Sequence, residues 1–452
     1  MRLRLFFALV FAAALAGCDR PFVPLDPPRI EVLRPGLDTV RTDARLILAL
    51  RVTALRTIAR VEVNGEAATH VPDLDAFLDT LDLELGLNTL RVEATDREGN
   101  AGTDTLFAVY LPLQTGELAA FALPEARADH TATLLDDGRV LVTGGTGRDG
   151  TALGSSVFVG ESGLELLVAP SHAVLAKPRL GHTASRLPDG RVLIVGGATT
   201  PTPTSAASFA TTGELYDPSA DAFTTLPFAG APVERAFHTA HVLTDQNRTF
   251  VYLYGGRGPL GTAEVGTRSD VTVLEVRSTA GVDSLVNLSP GGGVGAFPPA
   301  ANHVQLPLPP QGGYVRSLVA GTYAEPGGGT AAPVAFRFLQ TPSAFFFPFE
   351  TLEESLPPMR ENRIAHAGAP FSPGLALLAG GRTPGGTVVR SMEVFADGAG
   401  RFFAGPASRH LRTPRQRHTA TLLPSGRILL LGGTNAQGTV LASAEIIFPD
   451  AP

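Results

Sequence analysis

The sequence predicts an all-β protein, in which a small β-sandwich precedes a six-bladed β-propeller closed by an N-terminal strand. Three observations lead there. One phrase recurs six times between residues 127 and 433: a histidine, an apolar run, a turn, a second apolar run and a glycine pair. The interval from the histidine to the first residue of the pair is 14, 14, 17, 17, 14 and 14 residues. The composition, with 50 Gly and 37 Pro among 452 residues and 44% hydrophobic, suits many short strands joined by tight turns. A repeat of about 50 to 65 residues built from short strands cannot bury both its faces alone, and stacking copies around an axis buries them.

The chain opens with Arg2 and Arg4 ahead of an apolar stretch from Leu5 to Leu15 that ends in Leu15-Ala16-Gly17-Cys18. A charged start, a short apolar core and small residues before a cysteine are the pattern of a secretory signal. The stretch resembles a bacterial lipoprotein signal, which implies cleavage after residue 17 and lipidation of Cys18, the only cysteine. The competing possibility is an ordinary signal peptide with an incidental cysteine. No other apolar segment approaches the roughly 20 residues that span a bilayer. The expected location is the cell envelope, periplasmic or at the surface, with the membrane as a partner through the lipid. Loss of Arg2 and Arg4 takes the charge from −7 to −9, and so acidic a chain is not expected to bind nucleic acid.

Residues 18–28 are proline-rich and read as a tether. Residues 29–112 hold strand-like runs at Arg29–Leu33, Leu46–Val52, Ile58–Val63, Phe77–Leu85, Asn88–Ala94 and Thr103–Tyr110, with turn signals such as Asn64-Gly65 between them. Six or seven such strands fit a β-sandwich. The segment 85–100 resembles the late strands of bacterial immunoglobulin-like modules.

Residues 115–452 carry the repeat. Its histidines are His130, His182, His238, His303, His366 and His418, and its pairs end at Gly145, Gly197, Gly256, Gly321, Gly381 and Gly433. Arg stands three residues before the histidine in every copy except the fourth, which also has Ala320 where the others have glycine. Runs such as Val192-Leu193-Ile194-Val195 are continuously apolar, as expected of a strand sandwiched between neighbouring sheets. A third strand is expected at Thr212–Pro218, Ser391–Phe395 and Ser443–Phe448. The glycine pair with the later Glu-x-aromatic element resembles kelch repeats, including the galactose-oxidase type of propeller, over about three quarters of the chain. That resemblance implies an outer-strand tryptophan, but the chain has none; Phe223, Phe402 and Phe403 stand in the corresponding region. Because the last copy stops after its third strand, its fourth is expected from Leu118–Pro124, closing the ring.

Six histidines on six copies could suggest a ring of metal ligands. Zinc takes about four ligands at roughly 2.0–2.1 Å, which so dispersed a set cannot all supply. A structural role is expected instead, with the arginine of each copy held by partners including Glu214, Glu393 and Glu445. The string Gly145-Thr-Gly-Arg-Asp-Gly150 lies between strands and lacks the helix that a pyrophosphate site needs. The cysteine–tyrosine cross-link of galactose-oxidase-like copper chemistry is not available, since the lone Cys18 is lipidated or removed. No catalytic residue, metal or cofactor is assigned. The function expected is a non-enzymatic, lipid-anchored binding or scaffolding protein that engages an envelope protein or glycan through propeller loops. The long stretches Gly291–Ala300 and Thr322–Pro333, flanking the worn fourth copy, are candidates for such loops. The alternative is a carbohydrate-active enzyme with its site at the channel mouth.

Overall fold

The computed structural model describes residues 26–448, apart from 118–120, 164, 246, 261–263, 280–281, 290–296, 324–331 and 341–350. The described residues are all-β: many small sheets, with four short 3₁₀ turns and no α-helix. The arrangement is consistent with a β-propeller. No helix among the described residues is long and apolar enough to cross a membrane.

The chain forms two compact units, which do not follow one another simply along the sequence. The smaller takes the described part of Met1–Arg34 together with Leu48–Asp79 and Arg91–Thr105. The larger takes Pro35–Ile47, Thr80–Leu90 and everything from Leu106. In the first hundred or so residues the strands are Arg29–Arg34, Arg45–Thr53, Ile58–Val63, Ala76–Asp82, Gly86–Asp96 and Ala101–Tyr110, near the apolar runs of the sequence, with two short additions at Glu66–Ala67 and Thr69–Val71. They form two four-stranded sheets. Period-two alternation places Val61 and Val63 inward and Arg60 outward. Asn64 and Gly65 both take positive φ, 53° and 88°, as a tight hairpin turn requires.

In the larger unit, each histidine is followed at once by the first strand of a sheet. The first sheet orders Thr131–Leu134, Val140–Thr143, Ser155–Ser162 and Glu165–Val174; the second orders Thr183–Arg186, Val192–Val195, Gly213–Asp217 and Ala222–Leu226. The third, fourth, fifth and sixth sheets begin with Thr239–Asp245, Val304–Gln311, Ala367–Ser372 and Thr419–Leu422. These first strands pack each against the next, and Thr419–Leu422 packs against Thr131–Leu134.

Packing explains the apolar second strands. In Val140–Thr143 every side chain is buried, and alternate residues face opposite neighbours. Val140 and Val142 join Leu429, Leu431 and Ile446 of the sixth sheet, whereas Leu141 joins Val192, Ile194 and Tyr216 of the second. Each such side chain contributes about 1.5–3 kcal/mol by burial, so both faces of each sheet need a neighbour. Where a tryptophan was expected, Phe223 and Phe402 lie against Tyr216 and Phe395 of the adjacent strand, each with ring centroids 5.1 Å apart.

The fourth strand of the sixth sheet corrects the sequence expectation. It is Gln114–Glu117, paired antiparallel with Ala444–Phe448 in the register Glu117↔Glu445 and Gln114↔Phe448. Of the expected segment Leu118–Pro124, residues 118–120 lie outside the described residues. Phe121 and Leu123 are buried between the sixth and first sheets. An outer strand has one face in water, as the largely exposed Ala222–Leu226 illustrates, so a polar Gln-Thr-Gly-Glu fits it. The more apolar segment serves as a buried connector.

Candidate functional site: the axial histidine ring and its polar mouth

The glycine pair and the histidine are parts of one joint. Gly196 has φ +66°, and a Cβ on it would lie 2.5 Å from the Arg235 carbonyl oxygen and 2.6 Å from His238 Cε1 of the next copy. On Gly197, at φ +97°, a Cβ would lie 2.9 Å from Cβ of His182 in its own copy. The first glycine therefore receives the next copy's histidine and the second receives its own. Gly145, Gly256, Gly321, Gly381 and Gly433 meet the Cβ of His130, His238, His303, His366 and His418 in the same way. Gly432 receives His130, which joins the last copy to the first.

The arginines sit under this joint. Arg179 is fully buried; its guanidinium donates to the carbonyls of Gly196 at 3.0 Å and Thr212 at 2.8 Å, and to Glu214 Oε1 at 2.6 Å. Arg363 and Arg415 repeat this with Glu393 at 2.9 Å and Glu445 at 2.8 Å. The two other copies differ. Arg235 uses Asp270 and Thr272, and Arg127 reaches Glu125, two residues ahead of it, and Ser155. Asp270 is held at about 2: burial opposes its charge, but Arg268 and Arg235 outweigh it.

All six histidines are buried, and burial holds each imidazole neutral. His182, His303 and His366 are pushed down to about 3, and His130, His238 and His418 well below their ordinary value. Nε2 of four of them meets the threonine that follows the preceding histidine: His182 to Thr131 at 3.0 Å, His238 to Thr183 at 3.2 Å, His303 to Thr239 at 2.9 Å and His130 to Thr419 at 3.2 Å. The residues in that place ahead of His366 and His418 are Val304 and Ala367, which carry no hydroxyl. Five of the histidines, all but His303, line an axial cavity of about 310 Å³ with Gln305. Among the described residues no group of three or more His, Cys, Asp or Glu is arranged to hold a metal ion.

The residue immediately before each histidine is the part that sequence reasoning overlooked. Asp129, Gly181, Phe237, Asn302, Ala365 and Arg417 all have positive φ, between 52° and 60°. Their backbones close a cycle of hydrogen bonds. The N–H of Asp129 donates to the Arg417 carbonyl at 2.9 Å, Gly181 to Asp129 at 2.9 Å, Phe237 to Gly181 at 2.7 Å, Asn302 to Phe237 at 3.1 Å, Ala365 to Asn302 at 2.9 Å and Arg417 to Ala365 at 2.7 Å. Left-handed backbone costs a non-glycine residue roughly 1–2 kcal/mol, and five of the six positions are not glycine. Backbone held this way is a recurrent mark of functional sites. The dissimilarity of six residues at one repeat position was the available signal.

Beside this cycle lies a second cavity, of about 460 Å³, which shares no lining residue with the histidine cavity. Phe237, Asn302, Ala365 and Arg417 of the cycle line it, with Thr202, Arg257, Arg382 and Gln416 from adjoining loops. Among the described residues its lining contains no Asp or Glu. Arg417 forms an ion pair with the buried Asp129, whose carboxyl burial raises against the pull of Arg417. Cys18 and the segments 291–296 and 324–331 of the candidate loops lie outside the described residues.

The chain matches no family model and no curated protein. Among solved structures it is similar to that of YjhT, at 13% identity and TM-score 0.49, covering 72% of this chain and 95% of that one. It is also similar to a fungal alcohol oxidase of the AA5 family in complex with copper, at 16% identity and TM-score 0.44, covering 80% of this chain and 68% of that one. The chemistry of the mouth is therefore read from its own residues.

Proposed function

We propose that this protein is a non-enzymatic, lipid-anchored binding protein of the bacterial envelope. In this reading a six-bladed kelch-type propeller, closed by an N-terminal strand and carried on an immunoglobulin-like spacer, takes the polar end of a protein or glycan partner into the mouth of its ring. One observation supports it above the others: six equivalent backbone positions share one fixed conformation, and four of them present unlike side chains, Phe237, Asn302, Ala365 and Arg417, to a polar cavity. A rigid scaffold bearing variable groups is how recognition surfaces are commonly built. The repeated His, Arg and Gly residues serve the scaffold. A carbohydrate-cleaving enzyme would call for carboxylates converging on the cavity, whereas its lining offers arginines and amides.

Thr202 is exposed on the rim, so Thr202→Trp fills the mouth without entering the core. Glycan and protein capture from envelope extracts is expected to fall sharply in this variant. Capture equal to that of the unaltered chain would overturn the assignment. Cys18→Ala is expected to release the protein from the membrane fraction; unchanged size and fractionation would remove the lipid anchor from the proposal.

A further inference from the structure

We propose that the mouth is an oxyanion site: it takes a ligand bearing a carboxylate or phosphate group on a body of about monosaccharide size. The inference rests on the mouth being the binding site and names the chemistry that it selects. Arg257, Arg382 and Arg417 line one cavity of about 460 Å³, a volume within the usual range of roughly 300–1,000 Å³ for small-molecule sites. Each comes from a different copy: Arg257 and Arg382 follow the glycine pairs of the third and fifth, and Arg417 precedes the histidine of the sixth. Arg417 already holds one carboxylate, that of Asp129. The side chains of Arg257 and Arg382 have no hydrogen bond or ion pair among the described residues.

No ion pair among the described residues uses either of these two arginines, although the chain as a whole is acidic at −7. Like charges gathered on one concave surface repel each other and raise the local concentration of anions. The guanidinium fork matches carboxylate and phosphate oxygens two at a time, which a lysine ammonium cannot do. The rest of the lining suits the body of such a ligand. Asn302 and Gln416 offer amides for hydroxyl groups, and Phe237 lies beside them with an aromatic face.

The test is calorimetric titration of the full-length chain in detergent with glucuronate, glucose and inorganic phosphate, at low and high salt. Glucuronate or phosphate is expected to bind, more weakly as salt rises, and glucose to bind at least about tenfold more weakly than glucuronate. Which anion prevails tells a carboxylate-bearing from a phosphate-bearing ligand. Arg257→Gln and Arg382→Gln are each expected to lower anion affinity about ten- to a hundredfold, the loss usual for a charged hydrogen bond. An unchanged melting temperature in both variants, and partial recovery in Arg257→Lys, would separate binding from folding.

Equal binding of glucose and glucuronate that survives both substitutions and is lost in Thr202→Trp would overturn the oxyanion inference while leaving the mouth as the binding site. Anion binding that survives Arg257→Gln, Arg382→Gln and Thr202→Trp would overturn both. Failure of all three probes to bind would overturn the oxyanion inference, with capture by the Thr202→Trp chain deciding separately on the mouth.

Discussion

Replacing Glu214 by alanine tests whether the repeated phrase is scaffold. Glu214 is fully buried, and so is its partner Arg179. The carboxylate accepts from Arg179 at 2.6 Å and from the Ala176 N–H at 2.7 Å. Truncation leaves a buried guanidinium with backbone carbonyls and the Thr212 hydroxyl as its partners, and strands the backbone N–H groups of Ala176 and Lys177. Breaking a buried pair in this way costs about 3–5 kcal/mol, and an unsatisfied donor costs about 1–3 kcal/mol, partly overlapping with it. The exposed pair Arg139–Asp137, at 2.6 Å, gives the comparison: Asp137→Ala should cost about 0–1 kcal/mol. The assay is guanidinium denaturation followed by far-ultraviolet circular dichroism, for Glu214→Ala, Arg179→Met and the double variant. Glu214→Ala is expected to be destabilised by several times more than Asp137→Ala, and the double variant by clearly less than the sum of the singles. A Glu214→Ala loss no larger than that of Asp137→Ala, or strict additivity, would refute the scaffold role of the pair.

Three further outcomes follow from the same joint. Gly196→Ala combines left-handed backbone with a Cβ 2.5 Å from a carbonyl oxygen, whereas Gly426→Ala, at φ +83° with open space around it, carries only the conformational cost of roughly 1–2 kcal/mol; thermal denaturation should show a markedly larger drop for the first, and equal drops would contradict the close approach. Because burial depresses the histidines, they stabilise the fold above the unfolded value of about 6.5, and that stability is lost as pH falls towards about 3; denaturation midpoints between pH 6.5 and 4.5 should decline steeply, at about 1.4 kcal/mol per pH unit for each imidazole, and a flat profile would mean that these groups are not buried neutral. Val304→Thr gives His366 the hydroxyl that four other histidines have, so it should be neutral or stabilising by about 0.5–1.5 kcal/mol, and a loss of more than about 1 kcal/mol would argue against that geometry.

Much of the scaffold could be read from the chain because every copy faces the same packing problem and solves it with the same residues. The Arg–Glu partners at Glu214, Glu393 and Glu445 could be read for that reason. Glu125 and Asp270, which serve Arg127 and Arg235 instead, were hidden because their copies place the carboxylate at other offsets. The closing strand lies immediately before the expected segment, beginning four residues earlier, because apolarity marks burial and the outer strand is half in water. The mouth was invisible for another reason: its arginines come from three different copies, and only the closed cycle of backbone hydrogen bonds brings them together. The worn fourth copy has a physical meaning as well, since its Val304 removes the hydroxyl that His366 would otherwise meet, as Ala367 of the fifth copy does for His418.

Hydrogen–deuterium exchange of the full-length chain, with and without a captured envelope glycan or protein, tests most directly whether the ring's mouth is where the partner is held. Protection is expected in the segments that line it, around Thr202, Phe237, Arg257, Asn302, Ala365, Arg382 and Arg417. Protection confined to the outer strands or to residues 29–105, with these segments unchanged, would contradict it.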